Sequence, residues 1–205
     1  MCSVALDEDG IIHSWGSNDY KHVSDTPRGS NFIAISTGYW HSMALRRNGT
    51  IVSWGSNTDG EVSNTPKESG FIAISAGVWH SIALRKDGTI ESWGDDRNGT
   101  VSNTPKESGF IAVSAGGWHS IALRKNGTIH SWGNNDCDLI TNTPRGSEFI
   151  AISAGYHNSM ALRIDGTLHS WGENKYRTPQ KKIVFKMSKS YILIYSFRCF
   201  YPHPH

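Results

Sequence analysis

The sequence predicts an all-β fold made of repeated units, and three observations support this prediction. Phenylalanines open a short apolar segment at a constant interval, in the order Phe32, Phe71, Phe110 and Phe149. Tryptophan-glycine pairs recur every 39 residues, at Trp15, Trp54, Trp93, Trp132 and Trp171. An Asn-Gly or Asp-Gly pair also occurs in every copy, beginning at Asp9, Asn48, Asp87, Asn126 and Asp165. A fixed period of this length indicates a solenoid, a propeller or an array.

One unit, residues 71–109, shows the pattern of several short strands. Phe71–Ser75 is an apolar, β-branched run, Ser81–Leu84 is a second, and Thr89–Trp93 alternates as a third. The Asp-Gly pair between the second and third strands is typical of a type I′ hairpin turn. A weaker fourth strand is predicted over Gly99–Asn103, before a linker that contains Pro105. The sequence therefore predicts a β-propeller, or a partial one, of about five four-stranded antiparallel blades.

The repeats run through residues 1–188 and leave a divergent C-terminal tail at 189–205. The first unit lacks its opening strand, three complete units follow, and a fifth holds its register from Phe149 to Gly172. After a shortened loop, Val184–Ser188 again has the pattern of an opening strand. This segment either completes the first blade and closes a small ring, or the chain is a fragment of a longer propeller. An incomplete ring would favour self-association through its uncovered edges.

The overall composition excludes few functions but points away from some partners. The 20 basic and 18 acidic side chains give a net charge of +2, which predicts neither a nucleic-acid nor a membrane partner. Basic residues also interrupt the apolar patches of the tail, so no membrane-spanning segment is expected. Cys2, Cys137 and Cys199 occupy unrelated repeat positions, and the N-terminus has no leader pattern. We expect an intracellular protein, cytoplasmic or nuclear, without disulfides.

Catalytic and metal-binding motifs are not found in the sequence. It contains no Gly-x-Ser-x-Gly elbow, phosphate loop or His-Glu-x-x-His helix. His41, His80 and His119 occur once per unit, without the close companions that a zinc site uses. We expect each of them to bond the backbone at a strand start, a role that also suits Asn158 at the equivalent position. The sequence therefore predicts a non-enzymatic protein with no cofactor and no metal.

Positions that are identical between copies are expected to pack, whereas variable loop positions are candidates for binding. The repeated leucines and tryptophan-glycine pairs should fill the space between blades. In an antiparallel blade the loops after the first and third strands emerge on one face, opposite the Asn-Gly and Asp-Gly hairpins. Aromatic residues and arginine there are of the types that dominate interface energetics. The candidate partner-binding residues are Tyr39, Trp40, Trp79, Trp118, Tyr156, Tyr20, Lys21, Asp59, Arg97, Asp136, Tyr176 and Arg177. The alternative for the three loop tryptophans is packing between blades.

The segments Gly77–Leu84, Asp87–Ile90 and Ser92–Gly94 together resemble the repeat of the regulator of chromosome condensation family. The resemblance recurs in five copies and implies a β-propeller fold, usually with more blades than the five tryptophan-glycine pairs of this chain indicate. The family includes a nucleotide exchange factor for a small nuclear GTPase, ubiquitin-ligase subunits, a plant ultraviolet receptor and inhibitors of β-lactamases. Its fold alone therefore does not define a function.

The resulting functional prediction is a non-enzymatic scaffold that binds a protein partner through one loop face. The first alternative is guanine nucleotide exchange on a small GTPase. A second alternative is an enzyme whose site is built from propeller loops.

Overall fold

A computed structural model describes residues 2–173, which form five antiparallel sheets. The strands are β1 Cys2–Leu6, β2 Ile12–Gly16, β3 Phe32–Thr37, β4 His41–Arg46, β5 Ile51–Gly55, β6 Phe71–Ala76, β7 His80–Arg85, β8 Ile90–Gly94, β9 Phe110–Ala115, β10 His119–Arg124, β11 Ile129–Gly133, β12 Phe149–Ala154, β13 Asn158–Arg163 and β14 Leu168–Gly172. The first sheet pairs β1 with β2, and each of the other four joins three consecutive strands. A 3-10 turn covers Asp136–Asp138. Within the described range, no helix has the length and apolar character needed to cross a membrane.

The Asn-Gly and Asp-Gly pairs connect the second and third strands of each unit, as predicted. In the second unit the Gly49 amide donates to the Arg46 carbonyl at 2.9 Å, and Asn48 Oδ1 accepts the Thr50 amide at 3.1 Å. Gly49 has a φ of 81°, whereas Asn48 is not in the positive-φ region. The predicted type I′ turn is therefore wrong, because that turn needs positive φ at both central residues. The loop is instead a tight turn that ends in one left-handed glycine.

Each of the four complete sheets has three strands, and the predicted fourth strand is a turn. In Gly99–Asn103 the Asn103 amide donates to the Gly99 carbonyl at 3.3 Å. The amides of Val101 and Ser102 both donate to Asp96 Oδ1 at 2.8 Å. Backbone groups that are satisfied locally are not available for a strand ladder. The corresponding asparagines of the other units accept the same pair of amides, at Asn18, Asn57 and Asn135. The prediction of four-stranded blades is wrong for this part of the chain.

Successive sheets pack against each other in chain order. The middle strand of one sheet packs on the first strand of the next, so that β4 contacts β6, β7 contacts β9 and β10 contacts β12. Between the second and third units, Met43 and Leu45 lie in one buried cluster with Phe71, Ala83 and Trp93. The repeated leucines are all buried, at Leu45, Leu84, Leu123 and Leu162. Each buried large apolar side chain contributes about 1.5–3 kcal/mol, and a unit obtains this only from its neighbour.

The tryptophan-glycine pairs of the second to fifth units attach the third strand to the unit before it, whereas Trp15 of the first unit is 54% exposed and does not fill such a space. The Trp93 indole Nε1–H donates to the Glu61 carbonyl at 2.9 Å. The equivalent bonds run from Trp54 to the carbonyl of residue 22, from Trp132 to that of 100 and from Trp171 to that of 139. At Gly94, with a φ of 101°, a Cβ would approach the Trp79 carbonyl oxygen to 2.6 Å. Only glycine fits there, which explains why it follows the tryptophan in every copy.

Candidate functional site: an aromatic loop face

The loops after the first and third strands of each sheet lie side by side at one end of the sheets. The Ser56 amide donates to the Trp40 carbonyl at 2.8 Å, and the Asp95 amide donates to the Trp79 carbonyl at 2.9 Å. The Asn134 amide makes the same bond to the Trp118 carbonyl at 2.8 Å. We call this end the aromatic loop face, made up of residues 17–22, 38–40, 56–61, 77–79, 95–100, 116–118, 134–139, 155–157 and 173.

Four of the predicted site residues form one aromatic cluster on this face. The Trp40 ring lies 5.3 Å from the Trp79 ring of the next unit, centroid to centroid, and 4.9 Å from the Tyr20 ring of the preceding unit. Tyr39 meets Trp40 edge-on at 4.6 Å. Tyr20 and Tyr39 are 43% and 51% exposed. The cluster therefore joins three units and leaves two tyrosines open to a partner.

A second aromatic cluster lies further along the same face. The Trp118 ring stacks on the His157 ring at 5.2 Å and meets the Tyr156 ring edge-on at 4.7 Å. Tyr156 is 45% exposed. His157 was not among the predicted site residues, because a single histidine in a variable loop gives no signal in the sequence. The stacking brings it into the site.

The loop tryptophans differ from the tryptophan-glycine residues in burial and in hydrogen bonding. Trp40, Trp79 and Trp118 are only partly buried, and no carbonyl or side chain among residues 2–173 accepts a hydrogen bond from their indoles. Trp54 and Trp93 are 3% and 4% exposed, and their indole N–H groups are satisfied. A buried indole normally finds an acceptor. Within residues 2–173, the loop indoles therefore have donors that no acceptor satisfies.

Charged residues connect the loops of neighbouring units. Arg97 donates from Nε to Asp95 Oδ1 at 2.7 Å, and its Nη2 lies 3.4 Å from Asp59 Oδ2 of the preceding unit. These carboxylates raise the pKa of the Arg97 guanidinium, with Asp95 as the main cause. Lys21 and Asp136 are exposed on the same face. Tyr176 and Arg177, the remaining predicted site residues, lie outside the described range.

A row of buried side chains underlies these loops, and the sequence analysis did not identify it. His22, Glu61, Thr100 and Leu139 occupy the same repeat position and are all buried. Glu61 is fully buried, and its Oε2 accepts the Asp59 amide at 2.9 Å, while Oε1 has no partner among the described residues. Burial raises the pKa of the Glu61 carboxyl, and the carboxylates of Asp59 and Asp95 add to this. Histidine, glutamate, threonine and leucine have no chemical property in common. In the sequence, only their equivalent repeat positions indicate that these four residues belong together.

Buried histidines join the middle strands of successive units. The distance from Nε2 to the serine Oγ of the next unit is 2.7 Å for His41 to Ser81 and 2.8 Å for His80 to Ser120. His119 lies 2.7 Å from Ser159 in the same way. The expected bond to backbone is therefore wrong, because the ring nitrogen meets a hydroxyl of the neighbouring sheet.

These histidines lie in a region that disfavours charge. Burial lowers the pKa of His41 and His119 to about 4 and that of His80 to about 3, and neighbouring histidines add to the effect. Each imidazole is therefore neutral at neutral pH and joins two sheets without carrying a charge. Among residues 2–173, no group of three or more histidine, cysteine or acidic side chains is arranged to hold a metal ion. The absence of a metal and of a cofactor stays a prediction.

The solved structures that resemble this chain include proteins from two plants and from yeast. The chain is 26% identical to the ectodomain of the receptor kinase CR4 from Physcomitrella patens, with a TM-score of 0.74 over 87% of this chain and 51% of that one. For the ectodomain of the Arabidopsis thaliana receptor kinase ACR4 the identity is 21%, the TM-score 0.71 and the coverage 83% and 65%. For Prp20p from Saccharomyces cerevisiae, a protein with binding properties to Gsp1p and histones, these values are 21%, 0.71, 85% and 56%. The chain thus spans between half and two thirds of these relatives.

The sequence comparisons agree with the structural ones on the family. No curated protein sequence matches the chain significantly. The sequence profile of the regulator of chromosome condensation (RCC1) repeat matches four segments, at residues 32–61, 71–100, 110–138 and 149–177, which together exceed half of the chain. These segments begin with β3, β6, β9 and β12, and each includes the hairpin glycine, the tryptophan-glycine pair and the buried histidine, which Asn158 replaces in the last segment. The chain therefore belongs to the regulator of chromosome condensation repeat family.

Proposed function

We propose that the chain is a non-enzymatic interaction module that binds a protein partner through the aromatic loop face. The observation that supports this most directly is the contrast between the two groups of tryptophans. The loop indoles have no hydrogen-bond acceptor among the described residues and lie beside exposed tyrosines, whereas Trp54, Trp93, Trp132 and Trp171 are buried and donate to backbone carbonyls. Interfaces are enriched in tryptophan, tyrosine and arginine, and these residues supply most of the binding energy.

The relatives support a binding role without identifying the partner. Prp20p binds Gsp1p and histones, which shows that a protein of this fold can recognise other proteins. At 21% identity only the fold is shared, so the partner of this chain has to be found directly. The free thiols of Cys2 and Cys137 are consistent with the proposed cytoplasmic or nuclear location.

A second candidate is guanine nucleotide exchange on a small GTPase. It rests on the family resemblance and on the binding of Gsp1p by Prp20p. The two candidates differ in a simple measurement. An exchange factor accelerates the release of a fluorescent guanine nucleotide from a GTPase, whereas a scaffold captures partners and leaves the release rate unchanged.

The proposed binding face can be tested by comparing captured proteins between variants. The double substitution Trp40→Ala with Trp79→Ala should abolish capture of specific partners. The matched control, Lys86→Ala with Lys125→Ala, changes the hairpins at the opposite end and should leave capture intact. Melting temperatures of all variants show whether they fold. Equal capture by the loop variant and the wild type would contradict the proposal.

A further inference from the structure

The charges on the aromatic loop face indicate what kind of partner it would take. We propose that this face binds an extended, lysine- and arginine-rich segment of a protein partner. This proposal rests on the proposed function above and adds the chemistry of the partner to it.

The face is acidic although the whole chain is slightly basic. Its described acidic residues are Asp19, Asp59, Glu61, Asp95, Asp96, Asp136, Asp138 and Glu173. Its described basic residues are Lys21 and Arg97. Residues 174–205 contain seven basic and no acidic side chains, so the net charge of +2 for the whole chain does not describe the charge of this face.

The aromatic clusters and the carboxylates are arranged along the same arc. Asp96, Asp136 and Asp138 are exposed, Asp96 in the loop between Trp79 and Trp118 in the chain, and Asp136 and Asp138 in the loop between Trp118 and Tyr156. Arg97 does not neutralise them, because its guanidinium is paired with Asp95 and Asp59. Exposed indole and phenol rings bind ammonium and guanidinium groups by cation–π contacts, and nearby carboxylates strengthen the attraction.

An extended segment fits this surface better than a compact one. The ring contacts run from Tyr20 through Trp40 to Trp79 and, further on, from Trp118 to Tyr156. They are therefore distributed over loops of successive units rather than gathered in one pocket. A chain that follows the arc can place successive basic side chains on successive rings, in the way that repeat proteins use long continuous surfaces.

The repeats themselves supply neutral replacements for testing the charges. Asn98 occupies the repeat position of Asp59, and Asn57 that of Asp96 and makes the same backbone contacts. On the hairpin side, Asn48 and Asn126 occupy the repeat position of Asp87. The loop variant combines Asp59→Asn, Asp96→Asn and Asp136→Asn. The hairpin variant combines Asp9→Asn, Asp87→Asn and Asp165→Asn and changes the net charge by the same amount.

The experiment is a fluorescence-polarisation titration of the full chain with a labelled peptide of alternating Arg, Lys, Gly and Ser. A peptide with Glu in place of Arg and Lys is the control ligand. We expect the basic peptide to bind and the acidic one not to bind. The loop variant should weaken binding by about tenfold or more, and added salt should weaken it further. The hairpin variant should change affinity by less than about twofold, because it alters the total charge but not the charge of this face.

The outcomes separate this inference from the proposed function. If Trp40→Ala and Trp79→Ala abolish partner capture while the basic peptide fails to bind, the face is correct and the basic partner is wrong. Equal weakening by the loop and hairpin variants would also overturn the inference, because net charge alone would then explain the binding. Binding of the acidic peptide as tightly as the basic one would do the same.

Discussion

The molecule contains two groups of tryptophans that repeat with the same period but lie in opposite environments. Trp54, Trp93, Trp132 and Trp171 are buried between units, and each donates its indole N–H to a carbonyl 32 residues earlier. Trp40, Trp79 and Trp118 lie on the aromatic loop face, where they contact other rings, and their indole N–H groups find no acceptor in the described part of the chain. Periodicity alone therefore does not separate a packing residue from a candidate binding residue. Burial together with hydrogen bonding separates them.

The same comparison holds for the rest of the interior and the loop face. Between units, the partners of each side chain are fixed by the repeat, as in the bond from His80 to Ser120. On the loop face, the residues at one repeat position differ from unit to unit, as Tyr20, Asp59 and Asn98 do. Stability should therefore depend on the interior and specificity on the loops. The predictions below test this division, beginning with the largest expected effect.

Acid should destabilise the interior strongly. In the unfolded chain the histidines titrate near 6.5, whereas in the folded chain His41 and His119 titrate at about 4 and His80 at about 3. Between these values the unfolded state binds more protons, so the free energy of unfolding falls as the pH falls from 6.5 to 4. The loss is on the order of 3 kcal/mol for each histidine. Urea unfolding at a series of pH values measures it.

A single histidine variant provides the control for the pH measurement. In His80→Asn the replacement is the residue that the fifth unit carries at this position, Asn158. The variant should lose stability less steeply between pH 6.5 and 4 than the wild type does. Glu61, whose pKa is raised, contributes with the opposite sign and is present in both proteins. An unchanged slope would show that the histidines do not determine the acid sensitivity.

Removing a buried tryptophan should lower the free energy of unfolding nearly as much as acid does. Trp93→Ala deletes a ring that packs against the second unit and leaves the Glu61 carbonyl without its donor. The free energy of unfolding should fall by about 3–5 kcal/mol, as measured by urea denaturation. Trp93→Phe keeps an aromatic ring and should cost less. A loss below about 1 kcal/mol for the alanine variant would contradict the packing role.

Removing a loop tryptophan should affect binding rather than stability. Trp79→Ala and Trp118→Ala should each weaken partner binding by about 2 kcal/mol or more if the residue is an anchor. Their free energies of unfolding should change by less than about 1 kcal/mol, because these rings are partly exposed. Titration calorimetry with the captured partner and urea unfolding give the two values. A large loss of stability with unchanged affinity would assign these residues to packing instead.

Changes at the hairpins should have the smallest effect. Lys86→Ala and Lys125→Ala alter charged residues at the end opposite the aromatic loop face, and both stability and partner affinity should stay within about 0.5 kcal/mol of the wild type. The same two measurements apply. If affinity fell here and survived the loop tryptophan changes, the binding face would have to be assigned to the hairpins.

The strands of the repeat could be predicted from the sequence almost to the residue. The predicted strand Phe71–Ser75 is observed as Phe71–Ala76, and Thr89–Trp93 is observed as Ile90–Gly94. Apolar alternation and glycine turns determine these segments locally, so no knowledge of the neighbouring unit is needed. The prediction of a fourth strand was wrong, and the cause is again a local one. Its backbone is held by the side chain of Asp96, and this local contact overrides the β-branched residues.

The candidate site could be predicted only in part. Strand order was enough to place Trp40 and Trp79 on one face. It could not show that their rings lie 5.3 Å apart or that Tyr20 of the preceding unit joins them. These contacts depend on how successive sheets pack, and so does the burial of Glu61 beneath the loops. The functional importance of every predicted site residue stays a prediction.

The histidine-serine bonds always join a histidine of one unit to a serine of the next unit, and this order affects which unit unfolds first. Each complete junction takes a histidine from one unit and a serine from the next. At the first junction Cys2 stands at the histidine position, and the buried Ser42 Oγ has no hydrogen-bond partner among the described residues. In a linear array, opening begins at the weakest junction and proceeds unit by unit. Amide protons of β1 and β2 should therefore exchange with solvent sooner than those of β7, which has a complete junction on either side.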